Sequence, residues 1–122
     1  MKAAVLYGAR DLRLEERDMP KPAADEVLIK IKANGVCGSD IHFYEDGRLS
    51  IFVVKKPYIT GHEASGVVHE VGSEVKGFKR GDRVVPEPGI ACRKCVLCKG
   101  GHYNLCPNMV FMSAPSVDGT LV

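Results

Sequence analysis

Gly35-Val36-Cys37-Gly38-Ser39-Asp40-Ile41-His42 gathers a thiol, a hydroxyl, a carboxylate and an imidazole on one short loop. The glycines on either side of the thiol let the backbone turn sharply and come close to a bound group. Upstream, Val27, Ile29, Ile31 and Ala33 alternate with Leu28, Lys30 and Lys32, the period of two that marks a half-buried strand. That strand delivers the chain directly into the loop. Downstream, Gly61-His62-Glu63 offers an imidazole and a second carboxylate. Cys37 and His62 together could bind a zinc ion that keeps one position open.

The same period recurs along the chain. Residues 3–7 form a short apolar run, and Leu12 and Leu14 alternate with Arg13 and Glu15. Pro20 and Pro22 interrupt. A helical turn over 39–44, capped by Ser39 or Asp40, is expected. Asp46-Gly47, Gly72-Ser73 and Gly81-Asp82 read as turns, residues 64–71 as a strand, and Asp118-Gly119 as a hairpin. Many short strands with closely spaced turns predict a mainly β, barrel-like domain with short helices.

With 122 residues, the chain can form one domain with a true core. A net charge of +2, with both signs interspersed, gives no basis for nucleic-acid binding. No apolar run approaches the about 18 residues of a membrane span, and no secretion signal is evident at the start. A cytoplasmic location is expected. In that reducing setting, five cysteines point to metal rather than disulfides.

Four of them, Cys92, Cys95, Cys98 and Cys106, follow the spacing C-x2-C-x2-C-x7-C within a lobe at residues 89–107 that is poor in core residues. Four thiolates suit a closed, tetrahedral structural zinc; a one-iron or iron–sulfur site is the alternative. Such a lobe would draw its folding energy from the metal. A catalytic ion does not fit here, because four cysteines leave no open position.

Residues 35–42, Gly61-His62-Glu63-Ala64-Ser65-Gly66, Val71-Gly72, Gly81-Asp82-Arg83-Val84 and the four-cysteine lobe, in this order, resemble the N-terminal catalytic domain of zinc-dependent medium-chain alcohol dehydrogenases. Tyr44-Glu45-Asp46-Gly47-Arg48 and Val54-Lys55-Lys56-Pro57 are most similar to the sorbitol and xylitol branch. The resemblance spans essentially the whole chain and implies a GroES-like barrel over residues 1–122. It also implies a Rossmann domain, binding NAD or NADP, beyond residue 122. The full-length protein would be a homo-oligomer acting on a small alcohol or polyol, and this chain alone would be inactive.

The resemblance also implies roles. Cys37 and His62 match ligands of a catalytic zinc, and Glu63 matches a ligand or close neighbour. A further ligand, glutamate in the polyol branch and cysteine in others, would lie beyond residue 122. Ser39 matches the hydroxyl that accepts the alcohol's proton, His42 a relay to solvent, and Asp40 the carboxylate that orients the ligand histidine. The alcohol would bind zinc and lose hydride to the nicotinamide. Phe43 stands where sorbitol dehydrogenases often carry a tyrosine near the substrate, and Phe111 matches an apolar wall of the substrate pocket. Threonine dehydrogenase, or another zinc alcohol dehydrogenase of the superfamily, is the neighbouring reading. A stand-alone zinc-binding interaction module without catalysis is the reading from another class.

Overall fold

Short strands joined by turns carry the chain, as the dense turn signals predict. In order, the computed structural model, which describes residues 1–115 and 117–122, contains β1 (Lys2–Gly8), β2 (Asp11–Glu16), β3 (Val27–Gly35), α1 (Gly38–Asp46), β4 (Arg48–Leu49), β5 (Phe52–Val53), β6 (Tyr58–Ile59), β7 (Glu63–Val71), β8 (Arg83–Val84), β9 (Gly89–Ile90), α2 (Val96–Lys99), a 3-10 turn (Tyr103–Leu105) and β10 (Val110–Phe111). Two three-stranded sheets, β2-β1-β6 and β3-β7-β8, form the frame, and β4-β5 and β9-β10 are small ribbons.

β1 is the core strand. Ala3, Ala4, Val5 and Leu6 are all buried, so both faces of this apolar run are covered. One face meets Ile59, and the other meets Phe43 and Tyr58. Phe43 is the buried residue of α1, and its ring meets Tyr58 edge-on at 6.2 Å. Burial raises the Tyr58 phenol pKa, and the charge of Asp40 pushes it the same way. β2 forms where expected, but at a sheet edge, with Leu14 80% exposed.

β3 and β7 are the longest strands and pair antiparallel, from Val27 opposite Val71 to Gly35 opposite Glu63. The end of β3 therefore lies beside the start of β7. Gly66 makes this pairing possible: a Cβ there would sit 2.5 Å from the Lys30 carbonyl oxygen and 2.7 Å from Ile29 Cγ2.

Two local expectations change. The cap of α1 is Cys37, not Ser39 or Asp40. Asp40 falls at the third helical position, and its carboxylate reaches back to accept the Cys37 N–H at 3.0 Å. Asp118-Gly119 is not a hairpin. Asp118 Oδ1 accepts from Ile59 N at 2.8 Å, and Gly119 N donates to the Ile59 carbonyl at 2.7 Å. The segment lies instead along residues 59–61. Gly119 suits that close approach, because a Cβ would strike the carbonyls of Gly61 and Thr60.

Gly66→Ala is expected to lower stability by about 1–3 kcal/mol through overpacking, read from urea unfolding. Gly8→Ala, where an added Cβ meets nothing within 4 Å, should stay within about 0.5 kcal/mol of wild type.

Candidate metal centre

The antiparallel register brings both candidate loops to one end of the β3–β7 pair. Cys37 lies just past β3 at the cap of α1, and His62 just before β7. Gly61 precedes His62 in a left-handed conformation, φ 88°, which few side chains tolerate. Side chains alternate only within a strand. His62, in the turn, and Glu63, on the first strand position, therefore escape that rule and converge. One donor atom each from Cys37, His62 and Glu63 lies within 4.8 Å of the others. The Glu63 side chain folds over Gly35, where an added Cβ would sit 2.5 Å from Glu63 Oε2.

Asp40 ties the two loops together. Beyond its bond to Cys37 N, its other oxygen, Oδ1, accepts from Gly61 N at 3.4 Å and stands 3.7 Å from His62 Nδ1. The Asp40 and His62 side chains are only 12% and 11% exposed. With Nδ1 turned to the carboxylate, Nε2 is the nitrogen left to bind an ion. The Phe111 ring meets the His62 ring edge-on at 5.5 Å.

The other expected residues divide. Ser39 is half-buried in the first turn of α1, two residues past Cys37. His42 is 62% exposed, with Nδ1 3.5 Å from Asp46 Oδ2. Phe43 is 5% exposed and packs within the core cluster with Leu6 and Tyr58. Helical geometry turns it toward β1 and β6. His69, on β7, and His102, in the lobe, join neither donor set.

The four-cysteine lobe stands between β9 and β10, whose pairing of Ile90 with Val110 and Gly89 with Phe111 closes its base. All four sulfurs lie within 4.8 Å of one another, with 3.4 Å between Cys95 and Cys98 and 4.0 Å between Cys92 and Cys98. Four sulfurs around one zinc at its usual bond length would be about 3.8 Å apart. The span thus suits one ion and is tight for a cluster of several irons. The chain turns left-handed at Arg93, φ 57°. Beyond that turn, the amides of Lys94 and then Cys95 stabilise the Cys92 thiolate and lower its pKa to about 6. Burial, then the neighbouring Cys95 and Cys106 thiols, raise the Cys98 pKa to about 12. Four thiolates this close need a cation to coexist, which is the condition a bound metal meets.

A further concavity lies apart from both donor sets. A groove of about 850 Å³, lined by Val5 and Ile59 on one side and Val27, Ile29 and Ile31 on the other, opens between the two main sheets.

Residues 23–121 match the alcohol dehydrogenase GroES-like domain family. The chain belongs to this family. It is 51% identical over 122 residues to a sorbitol dehydrogenase of Bacillus subtilis, covering 100% of this chain and 35% of that protein. Identity to a sorbitol dehydrogenase of Macaca fascicularis is 50% over 117 residues, covering 96% and 33%. Among solved structures, galactitol-1-phosphate dehydrogenase from Escherichia coli superposes with a TM-score of 0.89 at 32% identity, covering 100% of this chain and 34% of that one. The chain thus spans about a third of the length of the relatives it matches.

Two contacts near the donor set carry no sequence signal. Thr120 Oγ1 donates to Asn34 Oδ1 at 2.6 Å, and Asn34 Nδ2 donates to the Gly35 carbonyl at 2.9 Å. No motif or period links Thr120 with Asn34, 86 residues away. The hold of Asp40 on the Cys37 amide was open to detection, since Asp40 stands at the capping-box spacing from Cys37.

In the metal-free chain at neutral pH, an alkylating agent should modify Cys92 before Cys98. The Cys92 rate should rise as pH climbs through about 6, where its thiolate forms; peptide mass spectrometry reads the order. Asp40→Ala should strip an acceptor from two loops at once. Amide exchange is expected to speed up at both Cys37 and Gly61, with a stability loss of about 1.5–3 kcal/mol.

Proposed function

We propose that this domain is the zinc-holding part of an NAD- or NADP-dependent dehydrogenase of polyols or secondary alcohols. The observation that carries the reading is the convergence of Cys37, His62 and Glu63 donors within 4.8 Å at a site the sheet register builds. A thiolate, an imidazole and a carboxylate suit zinc in an open catalytic site, one that keeps a position for substrate. The closed four-sulfur set suits a structural zinc, held by Cys92, Cys95, Cys98 and Cys106.

When bound, zinc would polarise the alcohol's hydroxyl and the nicotinamide would take its hydride. The chain's own residues do the rest. Asp40 holds the His62 ring and the Cys37 cap in one geometry. Ser39 receives the hydroxyl proton beside Cys37. His42, on the exposed side of α1, passes a proton to water. Phe111 covers the His62 ring and keeps water from that side. The cofactor is held by a Rossmann domain in the remaining length of the protein. Sorbitol dehydrogenases among the relatives favour a sugar alcohol as substrate.

Elemental analysis of the purified chain, exchanged free of loose metal, should find two zinc ions per chain. Cys37→Ser and Cys106→Ser should each retain fewer, and only Cys106→Ser should disorder the lobe. In the whole protein, Cys37→Ser should cut sugar-alcohol oxidation with NAD by at least about a hundredfold. Full activity in that variant overturns the mechanism.

A further inference from the structure

Gly61 sets the direction in which His62 leaves the turn, and it is held from several sides. Asp40 Oδ1 accepts its N–H at 3.4 Å. The Thr120 N–H donates to its carbonyl at 2.8 Å, while the flanking Leu121 N–H donates to the Thr60 carbonyl at 2.9 Å. The remaining side is filled by Asn34, whose Nδ2 lies 2.6 Å from where a Gly61 Cβ would be. Asn34 is the next-to-last residue of β3, beside Gly35, over which the Glu63 carboxylate folds. One amide side chain therefore touches the backbone that aims His62 and the backbone that seats Glu63.

That amide can sit in two orientations, and the Gly35 carbonyl, which only accepts, selects the one with Nδ2 facing it. Thr120 Oγ1 gives its proton to Asn34 Oδ1 at 2.6 Å and so holds the amide in that orientation, with Nδ2 toward the Gly35 carbonyl and Gly61. Thr120 is 5% exposed, so water cannot readily replace its hydroxyl. Without it, Oδ1 becomes a part-buried acceptor with no partner, and the amide is held by the Gly35 carbonyl alone. Asp40 secures the donor set from the α1 side; the Asn34–Thr120 pair secures it from the opposite flank.

We propose that Thr120 is a positioning residue for the Cys37–His62–Glu63 metal site, acting through the Asn34 amide on Gly61. The proposal rests on the zinc reading above. Its effect is selective: the four-cysteine lobe draws its geometry from β9, β10 and its own turns, and makes no hydrogen bond to Asn34 or Thr120 among the described residues.

The test is a zinc titration of the 122-residue chain against a chromophoric chelator, with the lobe as internal reference. Thr120→Val removes the hydroxyl at nearly constant volume. It should weaken zinc at the Cys37 site by about five- to tenfold, the factor of one neutral hydrogen bond, and leave lobe affinity unchanged. Thr120→Ser keeps the hydroxyl and should regain wild-type affinity. A merely structural role would lower thermal stability without this selective loss and rescue. Unchanged affinity at the Cys37 site in Thr120→Val overturns the proposal. If that variant fails to fold, Asn34→Ala breaks the same bond and is judged by the same criterion. Should wild type hold only the lobe zinc, Cys37, His62 and Glu63 do not hold a metal by themselves and the proposal falls; that outcome is visible before any variant is compared.

Discussion

The antiparallel pairing of β3 with β7 is the constraint on which the site depends. By setting Gly35 opposite Glu63, it brings together the place where the chain leaves one strand and the place where it enters the next. A register slip of one residue would send every side chain of β7 to the other face and carry Glu63 away from Cys37. Gly66 and Gly35 are small for related reasons. Gly66 lets the strands approach at Lys30, and Gly35 leaves room for the Glu63 carboxylate. The pairing thus brings the segments that carry Cys37 and His62 to one end of the sheet.

Upon that frame, short polar contacts refine the geometry. Asp40 links a helix cap to a turn through one carboxylate, and a hydrogen bond to a charged acceptor is stronger than one between neutral groups. The carboxylate is mostly buried beside His62, where its interactions are less weakened by water. On the other flank, residues 118–121 lie along residues 59–61 and lock the turn that precedes His62. The core contributes from beneath: Phe43 anchors α1 on Leu6 and Tyr58, so the helix that begins at Cys37 cannot drift.

The four-cysteine lobe follows different physics. Val96 and Leu105 are exposed, and Cys106 is the buried member of its metal set. Apolar burial contributes little there, so a bound ion would be its main source of order. Yet the lobe is not isolated from the other donor set. Its closing strand, β10, ends at Phe111, whose ring lies against His62. Order in the lobe therefore bears on a wall of the other site.

The sequence by itself determined the parts whose signals are local. The alternation in β3 and β7, the cysteine spacing of the lobe, and the motifs around Cys37 and His62 all sit within short windows, and together they identified a GroES-like member of the alcohol dehydrogenase family. Only the tertiary structure decided that Glu63 converges with His62, because the turn at Gly61 suspends strand alternation at that one place. It also set Phe43 in the core against Leu6 and Tyr58, turned Asp118-Gly119 from a hairpin into a segment lying along residues 59–61, and joined Thr120 to Asn34. Each of these depends on contacts between residues far apart in the chain. Such contacts are set by packing and register, which no period or spacing within a short window encodes.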